Sequence, residues 1–195
     1  MATKTNIFTQ FAKEYIVYLS NLLEQLDLKE VDAFVSELEN SCKDESTVFF
    51  AGNGGSASTA SHMANDFSIG VGNCNGQRRI RAMALTDNVS VITAIANDSG
   101  YENVFVYQLR THYRRGDKLV VISASGNSPN VVEAAAWVKE RGGTVIGLTG
   151  FDGGKLKALC DIAIHVKTPK GEYGPVEDIH MILDHLIYSW LIYSE

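Results

Sequence analysis

His62 and Asp66 stand four residues apart, and near the other end of the chain Glu177, Asp178, His180 and His185 crowd into nine positions. On a helix, residues spaced by four project from one face, so His62 and Asp66 can act on the same small volume. Two histidines and two carboxylates can divide the duties of general acid and base, or hold a divalent cation through nitrogen and oxygen donors. Glu177 and His185 are eight residues apart, about 12 Å along a helix and about 80° around it, so one cation reaches both only at full stretch. Separate duties for the two residues, or a site completed across a subunit boundary, relieve that strain.

Two loops could bring an anion to these groups. Gly52-Asn53-Gly54-Gly55-Ser56 follows the apolar run TVFFA and opens a helix, and its glycines let backbone N–H groups approach a ligand. Ser123-Ala124-Ser125-Gly126-Asn127-Ser128 follows KLVVIS and precedes Pro129. Ser128 suits an N-cap and Pro129 a first helical residue, so this loop delivers hydroxyls and free N–H groups to the positive end of a helix. Serines in such places also merely cap and turn; a second loop of related construction at another strand end favours the anion. The first loop also satisfies G-x-G-x-x-A through Gly52, Gly54 and Ala57, but the acid expected about twenty residues on is missing. The nearest candidate, Asp87, lies 33 residues after Gly54. No Lys-Ser or Lys-Thr follows the glycines, which excludes a P-loop.

The elements that must position these groups are legible in the hydrophobic pattern. Phe8, Phe11, Tyr15, Tyr18, Leu22 and Leu26 recur at helical spacing, as do Val31, Phe34, Val35 and Leu38, so residues 1–45 read as two helices. Ile16, Val17, Leu19 and Leu23 widen the first stripe beyond one face, which predicts packing against a partner subunit as well as the chain's own core. Continuous apolar runs at 47–51, 80–86, 118–123, 144–149 and 161–166 predict five strands buried on both faces. Helices are expected over about 57–68, 88–97, 101–113, 129–141 and 175–194. The alternation predicts an α/β protein with a doubly wound, five-stranded parallel sheet. Residues 1–195 make a single domain, with 1–45 as leading helices used in oligomer packing and 46–195 as the α/β core with its C-terminal helix.

Composition narrows the function classes. A formal net charge of −6 argues against a nucleic-acid surface. The basic clusters Arg78, Arg79, Arg81 and Arg110, Arg114, Arg115 are short and suit solvated faces or subunit contacts. No apolar run is long enough to span a membrane and no signal peptide is readable, so a cytoplasmic protein is expected. Cys42, Cys74 and Cys160 are odd in number and widely spaced, and are expected as free thiols.

Taken in order, the two leading helices, AGNGGSA, AIANDSGYENVF, VISASGNSPNVVEA, LTGFDGGKL and EDIHMILDHLI resemble a sugar isomerase (SIS) domain over nearly the whole chain, and specifically the phosphoheptose isomerase family. The resemblance implies a flavodoxin-like SIS fold, a homotetramer with sites between subunits, and conversion of sedoheptulose 7-phosphate to D-glycero-D-manno-heptose 7-phosphate for surface-glycan precursors. It implies substrate contacts from Asn53, Gly54, Gly55, Ser56, Asn97, Asp98, Ser123, Ala124, Ser125, Ser128 and Glu177. It places a divalent metal, zinc by preference, on His62, Asp66, Glu177 and His185, and the proton shuttle on Asp66 and His185. No nucleotide cofactor, nucleic acid or membrane is implied. The chain departs from the family pattern in carrying Asp66 for a glutamate and Glu177 for a glutamine, and in its Ser68-Ile69-Gly70-Val71 and Tyr173-Gly174-Pro175 segments. Those departures keep two rivals open: an isomerase of another phosphorylated sugar, and a non-enzymatic SIS protein that binds the replication initiator. A dinucleotide binder is the remaining alternative.

Overall fold

The computed structural model describes residues 4–72 and 79–194, with side chains from residue 7 onward, so the expectations for Cys74 and Arg78 fall outside the described residues. The N-terminal helices are α1 (Lys4–Glu24) and α2 (Leu28–Asp44). There follow β1 (Thr47–Gly52), α3 (Gly55–Asn65) with a π-helical turn at Asp66–Gly70, β2 (Arg81–Ala84) and α4 (Val89–Ser99). A 3-10 turn at Tyr101–Asn103 leads to α5 (Val106–His112), β3 (Lys118–Ser123), α6 (Pro129–Lys139), β4 (Thr144–Gly150), α7 (Gly154–Lys157), β5 (Ile162–Val166) and α8 (Tyr173–Tyr193).

The five strands are all parallel in the order β2-β1-β3-β4-β5. This is the flavodoxin-like winding, whose ligand crevice lies where the order reverses, between β1 and β3. Successive strand residues point to opposite faces, and both faces are dry. Phe50, Val120, Ile122, Ile146 and Leu148 pack with Phe34 and Leu38 of α2, Met63 of α3, and Ile179, Leu183 and Ile187 of α8. Phe49, Ala51, Leu119, Val121 and Val145 face the other way, against Leu109 of α5 and Val131, Ala135 and Val138 of α6. The edge strands β2 and β5 are less completely buried than β3, as their positions require.

Two helices differ from their sequence pattern. The helix expected over about 101–113 divides, because Val104, Phe105 and Val106 are all buried and one helix face cannot turn three consecutive side chains inward. The helix expected over about 57–68 passes into the π turn at Asp66; such turns shift the following residues around the axis and are common at functional sites.

α1 lies against α8 through two phenol–carboxylate bonds, Tyr15 Oη donating to Asp178 at 2.5 Å and Tyr18 Oη to Glu172 at 2.6 Å. Its other side leaves Phe8, Phe11, Ile16 and Val17 exposed. Among the described residues no helix is long and apolar enough to cross a membrane.

Candidate active site

Both glycine- and serine-bearing loops stand at the carboxyl ends of adjacent strands, on either side of the reversal in strand order. Gly54 caps α3 with φ +56° and ψ −122°, a conformation that excludes any residue with a Cβ. Its carbonyl accepts from the N–H groups of Ala57 and Ser58 at 3.0 and 3.2 Å, which leaves the N–H groups of Gly55 and Ser56 at the positive end of the helix. Asn53 is held from two directions. Its amide pairs with that of Asn130 in α6 through bonds of 2.9 and 2.8 Å, and its Oδ1 also accepts from Tyr101 Oη at 2.9 Å.

The serine loop is fastened from beneath. Ser123 Oγ accepts from Gly126 N–H at 3.1 Å, the carbonyl of Ala124 accepts from Gly150 N–H at 3.0 Å, and that of Gly126 from Leu156 N–H at 2.9 Å. Ser128 occupies the N-cap position of α6 with Pro129 first in the helix, as the spacing predicts, but its hydroxyl makes no capping bond. Asn130 Oδ1 takes that duty, accepting from Val131 N–H at 3.0 Å. The Ser128 hydroxyl is therefore not committed to capping α6.

α3 and α8 pack side by side and run the same way. The Glu177 carboxylate lies where a Cβ on Gly55 would sit, and seven residues further along each helix His62 meets Asp184. This register brings His62 Nε2 to 3.2 Å from His185 Nε2, 3.5 Å from Asp66 Oδ2 and 3.7 Å from Asp184 Oδ2. One donor atom from each of His62, Asp66, Asp184 and His185 can be chosen so that all four lie within 4.8 Å of one another. Asp184 is fully buried, and neither of its carboxylate oxygens has a hydrogen-bond partner. Burial, reinforced by the Asp66 charge, pushes its carboxyl up to about 7.

The structure brings His62 and Asp66 together, as their spacing implies, and sets His185 beside them, but the group differs from the expected set at two places. Asp184 joins them, and Glu177 does not. The reason is the rise of the helix: Glu177 precedes His185 by about 12 Å along α8, at the level of the glycine loop rather than of His62. Asp178 bonds to Tyr15 on the outer side of α8, and His180 is fully buried beneath the sheet-facing stripe. Asn97 and Asp98 are exposed at the end of α4 and bond to each other at 2.8 Å. Asp87, the acid weighed for a dinucleotide site, instead accepts from Ser61 Oγ at 2.5 Å and ties the end of β2 to α3. Sequence reading passed over Asp184, Asn130 and Tyr101. For Asp184 a signal existed, since a carboxylate stands in the inward stripe Val176, Ile179, Leu183 and Ile187.

Comparisons with known proteins agree with this arrangement. The SIS domain family model matches residues 10–150. The chain is 38% identical over 170 residues to a phosphoheptose isomerase of Aneurinibacillus thermoaerophilus, spanning 87% of this chain and 79% of that protein. It is 42% identical over 141 residues to one of Rhodospirillum rubrum, spanning 72% of each. Among solved structures, the phosphoheptose isomerase of Neisseria gonorrhoeae superposes with a TM-score of 0.82 at 32% identity, covering 97% of this chain and 98% of that one.

Proposed function

The chain belongs to the SIS-domain family and, within it, to the phosphoheptose isomerases; from that premise we propose that it interconverts sedoheptulose 7-phosphate and D-glycero-D-manno-heptose 7-phosphate, an aldose–ketose isomerisation that feeds heptose and surface-glycan synthesis. The observations that carry this reading are a serine loop anchored at the carboxyl end of β3 and, on the helix that leads from the glycine loop at the end of the neighbouring β1, the cluster of His62 and Asp66 with His185. The phosphate is bound at one end by the hydroxyls of Ser123, Ser125 and Ser128 and the backbone from Ser123 to Ser125, with Gly54, Gly55 and Ser56 facing the chain of the sugar. Asn53 has most of its hydrogen-bonding capacity committed to Asn130 and Tyr101, so it fixes the glycine loop and has one amide hydrogen left to offer.

The reaction moves a proton between C1 and C2 through an enediol. Asp66 and His185 serve as base and acid, one withdrawing the carbon-bound proton while the other protonates the neighbouring oxygen. The fixed phosphate holds C1 and C2 against them. The donor set fits a divalent cation, zinc by preference, because a buried carboxylate without partners stands beside two imidazoles whose nitrogens converge. Such a cation, when bound, would stabilise negative charge developing on the sugar oxygens. His62, Asp66 and His185 would hold it, with Asp184 in the same group of four, and Glu177, at the level of the glycine loop, contacts the sugar. Asn97 and Asp98 complete the pocket of a neighbouring subunit in a homotetramer. The protein acts in the cytoplasm as one 1–195 domain.

The test is isomerisation of sedoheptulose 7-phosphate with solvent exchange followed in deuterated water, with and without zinc. Label enters C1 or C2 with the wild-type protein, and His185→Ala and Asp66→Asn lower turnover by about 10²–10⁴-fold. Absence of both product and exchange, with other sugar phosphates still raising the melting temperature, would keep the anion site and overturn the substrate.

A further inference from the structure

We infer that the concavity at the outer edge of β2, walled by Arg81, His112 and Arg114, is a binding site for a diphosphate, separate from the loops that hold the sugar phosphate. The inference goes beyond the isomerase reading and does not depend on it.

The cavity measures about 440 Å³, and its polar lining is Thr47, Arg81, Thr111, His112 and Arg114, with no carboxylate. In a chain of 23 acidic and 17 basic residues, a hollow with two guanidinium groups, an imidazole and no acid runs against composition. Lys118, Lys139 and Arg141 each stand within ion-pair reach of a carboxylate, whereas none of the ion pairs among the described residues engages Arg81, His112 or Arg114. Like charges gathered without a counter-charge repel one another and focus a positive field in the hollow, which an anion relieves.

The backbone beneath these groups is fixed. Asp117 is buried, and its carboxylate accepts from the N–H groups of Thr47 and Arg114, each at 2.7 Å. This acid is thereby committed to backbone and holds two of the lining residues in place. Tyr113, between His112 and Arg114, donates its Oη to the Asp117 carbonyl at 2.9 Å. β2 is an edge strand paired with β1 alone, so its outer side adds backbone donors that no strand takes up.

The guanidinium fork matches two phosphate oxygens at once, and two such forks match two phosphates. A second concavity of about 370 Å³ continues along the same edge, sharing Ala82, Met83 and His112 with the first. Asn65, Asn88 and Gln108 give it uncharged polar groups, and its lining carboxylate, Asp87, is already bonded to Ser61. It suits the uncharged remainder of an organic diphosphate. Thr47 and Arg81 open β1 and β2, and Arg114 precedes β3, so the basic hollow lies at the amino ends of the strands. The glycine and serine loops stand at the carboxyl ends, the length of β1 away, or about 20 Å for six residues.

The experiment titrates the full-length protein with inorganic pyrophosphate and with ADP by calorimetry, and maps the bound state by amide hydrogen exchange. Slowed exchange is expected at residues 81–84 and 110–114. Arg81→Gln and Arg114→Gln should each weaken pyrophosphate binding about 10-fold, and together about 100-fold, with melting temperature unchanged. Ser125→Ala and Ser128→Ala, in the sugar-phosphate loop, should leave that binding as it is. ADP binding tighter than pyrophosphate places the nucleoside in the second concavity; equal affinity makes the diphosphate alone the ligand, and either supports the site. Neither readout uses turnover, so a wrong sugar leaves both untouched. The inference is overturned if protection falls on the serine loop instead, if the double variant binds pyrophosphate as the wild type does, or if nothing binds below about 1 mM.

Discussion

His180 sits on the same helix as His185 and does the opposite work. It is fully buried, and burial pushes its imidazole down to about 4, so it stays neutral in the folded chain across the range in which a free histidine titrates. Its ordinary value in the unfolded chain is near 6.5, and a group whose folded value is depressed takes up its proton first in the unfolded state. Stability from this residue is therefore complete above about pH 6.5 and falls as pH drops toward 4, by about 3 kcal/mol for a gap of that size. His165, also held below its usual value chiefly by burial, adds to the same slope. Urea unfolding at pH 7 and pH 4.5 should show the loss, and His180→Gln should flatten the difference while leaving the His165 share. An unchanged slope in the variant would place the acid sensitivity elsewhere.

The pairing of α3 with α8 is what turns scattered residues into a site, and Gly55 is where it can be tested. A Cβ at Gly55 would occupy the volume now held by the Glu177 carboxylate, and because that is the far end of a flexible side chain, Gly55→Ala should turn it aside at little cost in stability. Melting temperature should hold while the KM for the sugar phosphate rises; an unchanged KM would show that the Glu177 carboxylate does not act from its place beside Gly55. The same pairing marks the limit of what the sequence could disclose. The five strands, the glycine- and serine-bearing loops at their carboxyl ends and the N-cap position of Ser128 follow from local pattern, because apolar runs and turn residues carry their own instructions. That His62 lies level with Asp184 and not with Glu177 is a register between helices more than a hundred residues apart, fixed by how both bed onto the sheet. The division of the 101–113 helix was hidden for a related reason, since three consecutive buried residues obey the core rather than helical period.

At the scale of the whole molecule, the proposed homotetramer can be tested at the apolar surface of α1. Ile7, Phe8, Phe11, Ile16 and Val17 leave α1 with apolar side chains around 60% or more exposed, and Leu186 and Trp190 of α8 with Leu28 of α2 add a second apolar patch. Such faces are poorly suited to water and suit the core of a subunit interface. His62, Asp66, Asp184 and His185 converge within one chain, whereas Asn97 and Asp98 stand exposed at the end of α4, bonded only to each other in the hydrogen bonds described. Assembly and metal binding should therefore separate. Native mass spectrometry of the wild type is expected to give four copies of the 21.3 kDa chain. Phe8→Glu combined with Phe11→Glu, which sets like charges into that face, should dissociate the tetramer. The dissociated chain should keep its fold but lose most turnover, as the proposed contribution of Asn97 and Asp98 to a neighbouring subunit's pocket requires. If the dissociated chain turns over normally, each crevice is complete within one subunit; if the wild type is already monomeric, the apolar face of α1 has some other occupant.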